Sequence, residues 1–260
     1  MKVVFLDFDG VVNRKMWVNE DGKWVCRYGY PEDGAVNDVQ SVQWVSEFCE
    51  KYGYDIVVTS SWRKYGYEKY LRAAGLRDGV RVVGATAISD GDRSQEISDY
   101  LSSHPEVESY LVFDDDESLM RKTYYFDEDT EYVFPTAGEH YKHLVLCDSR
   151  IGFGENEYNK AVATHISLKY RRVDEAPSMH VRKNDEEQMN RAIIELLYTL
   201  GHITTAVLQR KLSLGYGRAA QTIDGLVSRG VIIRTEYDGR FVYRPLVERE
   251  EAERILGISQ

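Results

Sequence analysis

Two aspartates one residue apart, Asp7 and Asp9, stand in the run VVFLDFDGVV at residues 3–12. The residues ahead of them are β-branched and aromatic, as in a strand buried on both faces, so the carboxylates emerge at its carboxyl end. Side chains two apart on an extended chain share a face. An aspartate placed there can attack phosphorus covalently, while the second protonates the leaving oxygen. A later apolar run, YLVFDDDE, ends in Asp114, Asp115 and Asp116. Four or five carboxylates at one sheet edge repel one another unless a divalent cation joins them. Ligands that are all oxygen point to Mg²⁺, with Asp7, Asp9, Asp114 and Asp115 as candidate ligands. Such a cation also neutralises a phosphate substrate. Asp116 is expected to be solvated.

DIVVTSSWR supplies a further strand that ends in hydroxyls, and Thr59 and Ser60 are suited to hydrogen-bond a phosphoryl oxygen. A cation must still hold the phosphate against the nucleophile. No lysine lies between Lys69 and Lys122, so the candidate is Arg93 in GDRSQEI, 21 residues before Asp114. Its guanidinium can bind phosphate through two parallel hydrogen bonds. Arg63 and Arg14 are further candidates for substrate contact, and Trp62 either packs or lines the site.

These residues need a scaffold that brings strand ends together. Apolar runs VVFLDF, DIVVTSS, VRVVGA, YLVFDDD and HLVLCD alternate with helical patterns such as VNDVQSVQWVSEFCEKYG and SQEISDYLSSH. That alternation predicts βαβ units in a parallel sheet, an α/β Rossmann-like fold whose sites form at strand carboxyl ends. MWVNEDGKWVC reads as an inserted β-hairpin around Asp21-Gly22. Trp17 and Trp24 on it either pack it down or stack on a base. At 260 residues and 43% apolar content the chain is expected to hold two domains. Its net charge of -10 is uneven: residues 1–168 hold 18 Lys/Arg against 30 Asp/Glu, and residues 169–260 hold 15 against 13. Three cysteines without metal-ligand spacing fit reduced thiols in a cytoplasmic protein. No apolar stretch is long enough to span a membrane, and no signal peptide precedes the first strand.

In order, DFDGV, TSS, a basic residue and DD resemble the four motifs of the haloacid dehalogenase (HAD) superfamily. The resemblance covers roughly residues 1–168. It implies Asp7 as nucleophile, Asp9 as general acid/base, Thr59 as phosphate-binding hydroxyl, and Asp114 and Asp115 as the metal-binding pair. Aspartate at position 9 is the phosphatase form of the motif, which disfavours dehalogenase or ATPase activity. Arg93 stands where the family usually has lysine. TSSWR and the order RSQEI to FDDD resemble a subgroup associated with nucleic-acid end repair. Residues 11–54 hold only a hairpin and a helix, with no room for the large cap domain of many relatives. The site is therefore expected to be open and suited to a phosphate on a large substrate, although capless nucleotidases take small ones.

Beyond a charged linker at residues 169–185, EEQMNRAIIELLYTLG, TTAVLQRKL and GRAAQTIDGLVSRG read as three helices, and VIIRTEYDGRFVYR as a hairpin around Asp238-Gly239. Three helices and a hairpin make a winged helix-turn-helix over residues 186–250, which leaves 251–260 as a C-terminal tail. LQRKL, GY, RAA and ID resemble the gamma domain of FtsK DNA translocases. The resemblance implies DNA contact through Arg210, Lys211, Tyr216 and Arg218, with Gly217 where that family usually has asparagine. From residue 196 to 223 the only charges are Arg210, Lys211 and Arg218, a locally basic surface on an acidic protein.

The expected function is a Mg²⁺-dependent phosphomonoesterase acting on nucleic-acid ends or nucleotides and targeted to DNA. Two alternatives stay open at this level: a DNA-binding regulator whose HAD fold senses a ligand, and a protein phosphatase recruited to DNA. A homo-oligomer is compatible with either.

Overall fold

In the computed structural model, the residues described are 1–13, 16–18, 21–26, 38–88, 93–116, 140–170, 186–237 and 240–258. They form two compact units, residues 1–158 and 159–260.

The first unit begins with β1 (Lys2–Leu6), followed by the antiparallel pair β2 (Met16–Val18) and β3 (Trp24–Cys26). Then come α1 (Val39–Tyr52), β4 (Tyr54–Val58), a 3₁₀ turn (Ser61–Tyr65), α2 (Tyr67–Ala73), β5 (Val82–Ala85), α3 (Arg93–Ser103), β6 (Ser109–Asp114) and β7 (Leu144–Leu146). Helix α4 (Glu155–Tyr170) spans the division between the units. The five strands β5-β4-β1-β6-β7 form one parallel sheet. The fold class read from the sequence is therefore the observed one: an α/β parallel sheet with a hairpin inserted after its first strand.

Both faces of β1 are buried, as its unbroken apolar sequence demands. On one face Val3, Phe5, Val57 and Val112 pack against Ile97 and Tyr100 of α3. On the other, Phe113 meets Phe48 of α1 at 5.6 Å and stacks on Phe153 at 4.5 Å between ring centroids. Helix α1 starts where the Asp38 side chain accepts the Ser41 N–H at 2.9 Å. It stops at Gly53, whose left-handed backbone turns the chain directly into β4.

The second unit contains α5 (Glu186–Leu200), α6 (Thr205–Leu212), α7 (Tyr216–Ser228), β8 (Ile232–Tyr237), β9 (Arg240–Pro245) and α8 (Arg249–Ile255). The β8–β9 hairpin gains a third edge at Ile203, which exchanges hydrogen bonds of 2.8 and 2.9 Å with Tyr243. Three helices and this wing enclose Ile193, Leu197, Leu208, Ile223, Leu226 and Val242, a winged helix as read from the pattern. The last part of α4 joins this unit, because Ser167 Oγ donates to Gly201 O at 2.6 Å and Arg244 donates to Thr164 Oγ1 at 2.9 Å.

Of the residues expected to be a tail, 251–255 are instead helical, in α8. Ala252, Leu256 and Ile258 are buried, and Arg249 pairs with Glu195 of α5 at 2.8 Å. Burying side chains such as Leu256 and Ile258, just beyond α8, contributes about 2 kcal/mol each and fixes the end of the chain on this unit. Among the described residues no helix is long and apolar enough to cross a membrane.

Candidate active site and nucleic-acid interface

Sheet register assembles the site. Leu6 pairs with Val58 on one side and Phe113 on the other. The ladder runs one step further, with Asp7 N donating to Phe113 O and Thr59 N to Leu6 O, each at 3.0 Å. Asp7, Thr59 and Asp114 thus leave three adjacent strands at the same level, where a parallel sheet opens toward ligands. Asp7 and Thr59 are buried, and Asp114 is fully so.

Arg93, the first residue of α3, links these side chains. Its guanidinium donates to Thr59 Oγ1 at 3.1 Å and to Asp114 Oδ2 at 2.5 Å, and it reaches Asp7 Oδ1 at 3.5 Å. Burial works against its charge, but Asp7, Asp114 and Glu96 outweigh that and hold its pKa above the ordinary arginine value. Burial also pushes the Asp114 carboxyl up, with the Asp7 charge adding to the rise, although Arg93 and the Asp116 N–H oppose it. Asp7, Asp114 and Asp115 place one carboxylate oxygen each within 4.8 Å of one another. One guanidinium does not balance three carboxylates gathered so closely. The surplus charge and the all-oxygen donor set fit a hard divalent cation.

The loop after β1 makes room for this cluster. Gly10 has φ +88, and a Cβ there would lie 2.3 Å from the Asp115 carboxylate. Only glycine satisfies both the backbone and the approach. Within this loop Asn13 Nδ2 donates to Asp9 Oδ1 at 3.0 Å, and Trp62 Nε1 reaches the same oxygen at 3.3 Å.

Of the residues singled out in the sequence, Asp7, Thr59, Arg93, Asp114 and Asp115 are brought together. Asp9 is not among the three carboxylates that gather; its Oδ1 accepts from Asn13 and Trp62. Ser60 is buried, and its hydroxyl accepts the Trp62 N–H at 3.4 Å. Arg63 has only 8% of its side chain exposed; it pairs with Glu96 at 2.7 Å and also donates to the Thr59 carbonyl. Arg14 and the linker residues 171–185 lie outside the described residues, as do the side chains of Trp17 and Trp24. Asp116 donates its backbone N–H to Asp114 Oδ1 at 3.1 Å, a turn that orients the buried carboxylate.

Sequence reasoning passed over Glu96, which joins Arg63 to Thr86 Oγ1, the latter at 3.2 Å. It also passed over Asn13 and the indole N–H of Trp62. Glu96 carried a usable signal, since it lies three residues after Arg93 on one helix face and next to the buried Ile97. Asn13 carried none, because its role depends on a turn in which Phe8 O accepts three successive N–H groups.

In the second unit, the Thr204 hydroxyl caps α6 by accepting the Val207 N–H at 3.1 Å. Ser213, with φ 54, and the following residues lead into α7. Ala219, Ile223 and Leu226 face the core, which leaves Arg218 and Gln221 outside, with Tyr216 69% exposed. Arg210 at the end of α6 is exposed, and Lys211 half-buried. An exposed polar face on the third helix of a winged helix is the face that enters a DNA groove.

The sequence profile of the HAD domain in Swiss Army Knife RNA repair proteins matches residues 3–158, the stretch that carries every element of the carboxylate site. The chain belongs to that family. An FtsK gamma domain profile matches residues 184–240 of the same HAD protein. A DNA translocase FtsK from Caldanaerobacter subterraneus is 35% identical over 72 residues, covering 28% of this chain and 10% of that protein. Another DNA translocase FtsK, from Clostridium tetani, is 26% identical over 98 residues, covering 38% of this chain and 12% of the relative. The match thus spans about a tenth of the length of these translocases. No solved structure matches the chain.

Proposed function

We propose that this HAD protein is a Mg²⁺-dependent phosphomonoesterase that acts on phosphorylated nucleic-acid ends or nucleotides and is brought to DNA by its winged helix. The observation that carries the reading is the convergence of Asp7, Thr59, Asp114 and Arg93 at one sheet edge. The catalytic module corresponds to about residues 1–158, and the DNA-binding module to 186–250, extended by α8 and by the last part of α4, with 171–185 as the linker. The setting is cytoplasmic.

In this mechanism the Asp7 carboxylate attacks phosphorus and an aspartyl-phosphate forms, while the P–O ester electrons pass to the leaving oxygen and Asp9 supplies its proton. Water then attacks phosphorus and gives a proton to Asp9, and the electrons of the Asp7–phosphorus bond return to Asp7. Thr59 and Arg93 hold the phosphoryl oxygens and Arg14 contributes to substrate binding, whereas the expected substrate contacts of Ser60 and Arg63 give way to their buried bonds to Trp62 and Glu96. Asp7, Asp9, Asp114 and Asp115 are the candidate holders of Mg²⁺, which when bound supplies charge neutralisation of the phosphate. Arg210, Lys211, Tyr216 and Arg218 contact DNA, and the FtsK likeness supports this assignment.

The test is phosphate release from 3′- and 5′-phosphorylated oligonucleotides, mononucleotides and phosphopeptides, with and without Mg²⁺. Release from oligonucleotides or nucleotides that requires Mg²⁺ is expected. Release from phosphopeptides alone would redirect the reading to a protein phosphatase.

A further inference from the structure

A guanidinium carries three nitrogens in one plane, and the three of Arg93 meet different partners. Nη1 donates to Thr59 Oγ1 at 3.1 Å and to Asp114 Oδ2 at 2.5 Å, and Nη2 reaches the Asp7 carboxylate at 3.5 Å. The third, Nε, lies 3.8 Å from Oε2 of Glu96. Two nitrogens thus face the reacting groups, and the third faces a carboxylate that stands behind them on the same helix. We propose that Glu96 is a positioning residue, which holds Arg93 at Nε so that Nη1 and Nη2 meet the phosphoryl group attacked by Asp7. This rests on the phosphate-binding role proposed above for Arg93.

The Glu96 carboxylate is itself fixed from two further elements. Glu96 is buried and stands three residues after Arg93, so both side chains rise from one face of α3. Its Oε1 accepts from Arg63 Nη2 at 2.7 Å and its Oε2 from the Thr86 hydroxyl at 3.2 Å. Thr86 follows β5, with its N–H on Val58 O at 3.0 Å. Arg63, in the 3₁₀ turn after β4, also donates to the carbonyls of Thr59 and Ser60, the latter at 3.3 Å. These contacts close a ring that runs from the Thr59 hydroxyl through Arg93, Glu96 and Arg63 back to the Thr59 carbonyl. Displacing the Arg93 guanidinium therefore breaks a link to β4 or strains the carboxylate held between α3 and β5. Apolar side chains of similar volume generally pack such a place at least as stably as buried ions. What the ion pairs add is direction, because a planar guanidinium binds phosphate well only in the right plane. Held at both ends, Arg93 keeps its donors where phosphoryl charge develops, without reorganisation during the reaction.

Steady-state hydrolysis of p-nitrophenyl phosphate by the full chain, with Mg²⁺, tests this as a double-mutant cycle. Glu96→Gln keeps the shape and removes the charge, whereas Arg93→Lys keeps a charge and removes Nε. With Arg93 in place, Glu96→Gln is expected to lower kcat/KM by about 10-fold, the lower end of what a partner that orients a functional side chain is worth. In Arg93→Lys, which has no Nε to hold, the same change is expected to cost less than about 2-fold. A fall of equal size in both backgrounds would overturn the proposal and leave Glu96 as a support of the fold. Thermal unfolding checks every variant. If Glu96→Gln fails to fold, Glu96→Asp, which keeps the charge and draws it back by one methylene, carries the same cycle. Should the wild type release no phosphate, or Arg93→Ala release it as fast as the wild type, the reading of the site fails first and the proposal with it. A large fall in Arg93→Ala with none in Glu96→Gln sinks the positioning role alone.

Discussion

Arg93 opens α3 and Arg218 lies in the first turn of α7, yet their surroundings are opposite. Arg93 keeps 14% of its side chain exposed and is shared among Thr59, Asp7 and Asp114. Arg218 stands on the outer face of α7, exposed to solvent. Charge intended for bond-making is withdrawn from water and fixed by partners, since electrostatic stabilisation is strongest where the dielectric is low. A charge proposed to meet nucleic acid is left at the surface, where its action is under the control of salt. The carboxylate site therefore depends on sheet register, and the winged-helix face on which residues remain outside a packed helix.

The sharpest way to break this division is Asp7→Asn. Phosphate release should be abolished while duplex affinity and thermal stability stay near wild type, measured by steady-state kinetics, fluorescence anisotropy and calorimetry. Next in size, Arg93→Ala should lower kcat/KM by about 10²- to 10³-fold, as for loss of one preorganised donor, and Arg93→Lys should recover part of it. If Arg93→Ala instead weakens DNA binding, the two regions are not separate in function.

On the other side, Arg218→Ala should weaken duplex binding by about 1–3 kcal/mol if it reads a base edge, and should flatten any sequence preference. Lys211→Ala should weaken all sequences alike and reduce the salt slope by about 1. Neither change should touch phosphate release from a mononucleotide.

A further effect concerns pH. Asp114 titrates above its unfolded value because of burial and Asp7. A raised carboxyl means that the folded state binds the extra proton between the unfolded and folded pKa values. The Asp114 contribution to the stability of the metal-free protein should accordingly be fully present below about pH 4 and be lost as pH rises through the folded pKa, by at most about 1.4 kcal/mol per pH unit. Asp114→Asn should remove that slope in calorimetry with a chelator present, and the slope's persistence would assign it to another group.

Much of this was legible because the signals were local. Unbroken apolar runs located the strands, and the residues that close them, Asp7, Thr59 and Asp114, are the residues the register brings together. The FtsK-like pattern identified the second unit through its helix spacing. What escaped was non-local or masked by charge. Residues 251–260 read as a C-terminal tail until Ala252, Leu256 and Ile258 are seen buried. Asn13 becomes a partner of Asp9 only through the turn at Gly10, and Glu96 one of Arg63 only through the approach of α3 to the end of β4. Such contacts depend on tertiary geometry that no single segment encodes.

The central claim is that Asp7 carries the phosphoryl group during turnover. Rapid acid quench with a nucleic-acid-end or nucleotide substrate and Mg²⁺, followed by peptide mass spectrometry, reads it directly. The account predicts a single phosphoryl adduct on Asp7 that decays at the rate of phosphate release, and that accumulates in Asp9→Asn given an aryl phosphate, whose leaving group needs no proton, because only the second step is then slowed. Wild-type turnover with no adduct in either protein, or an adduct on any other side chain, would contradict it.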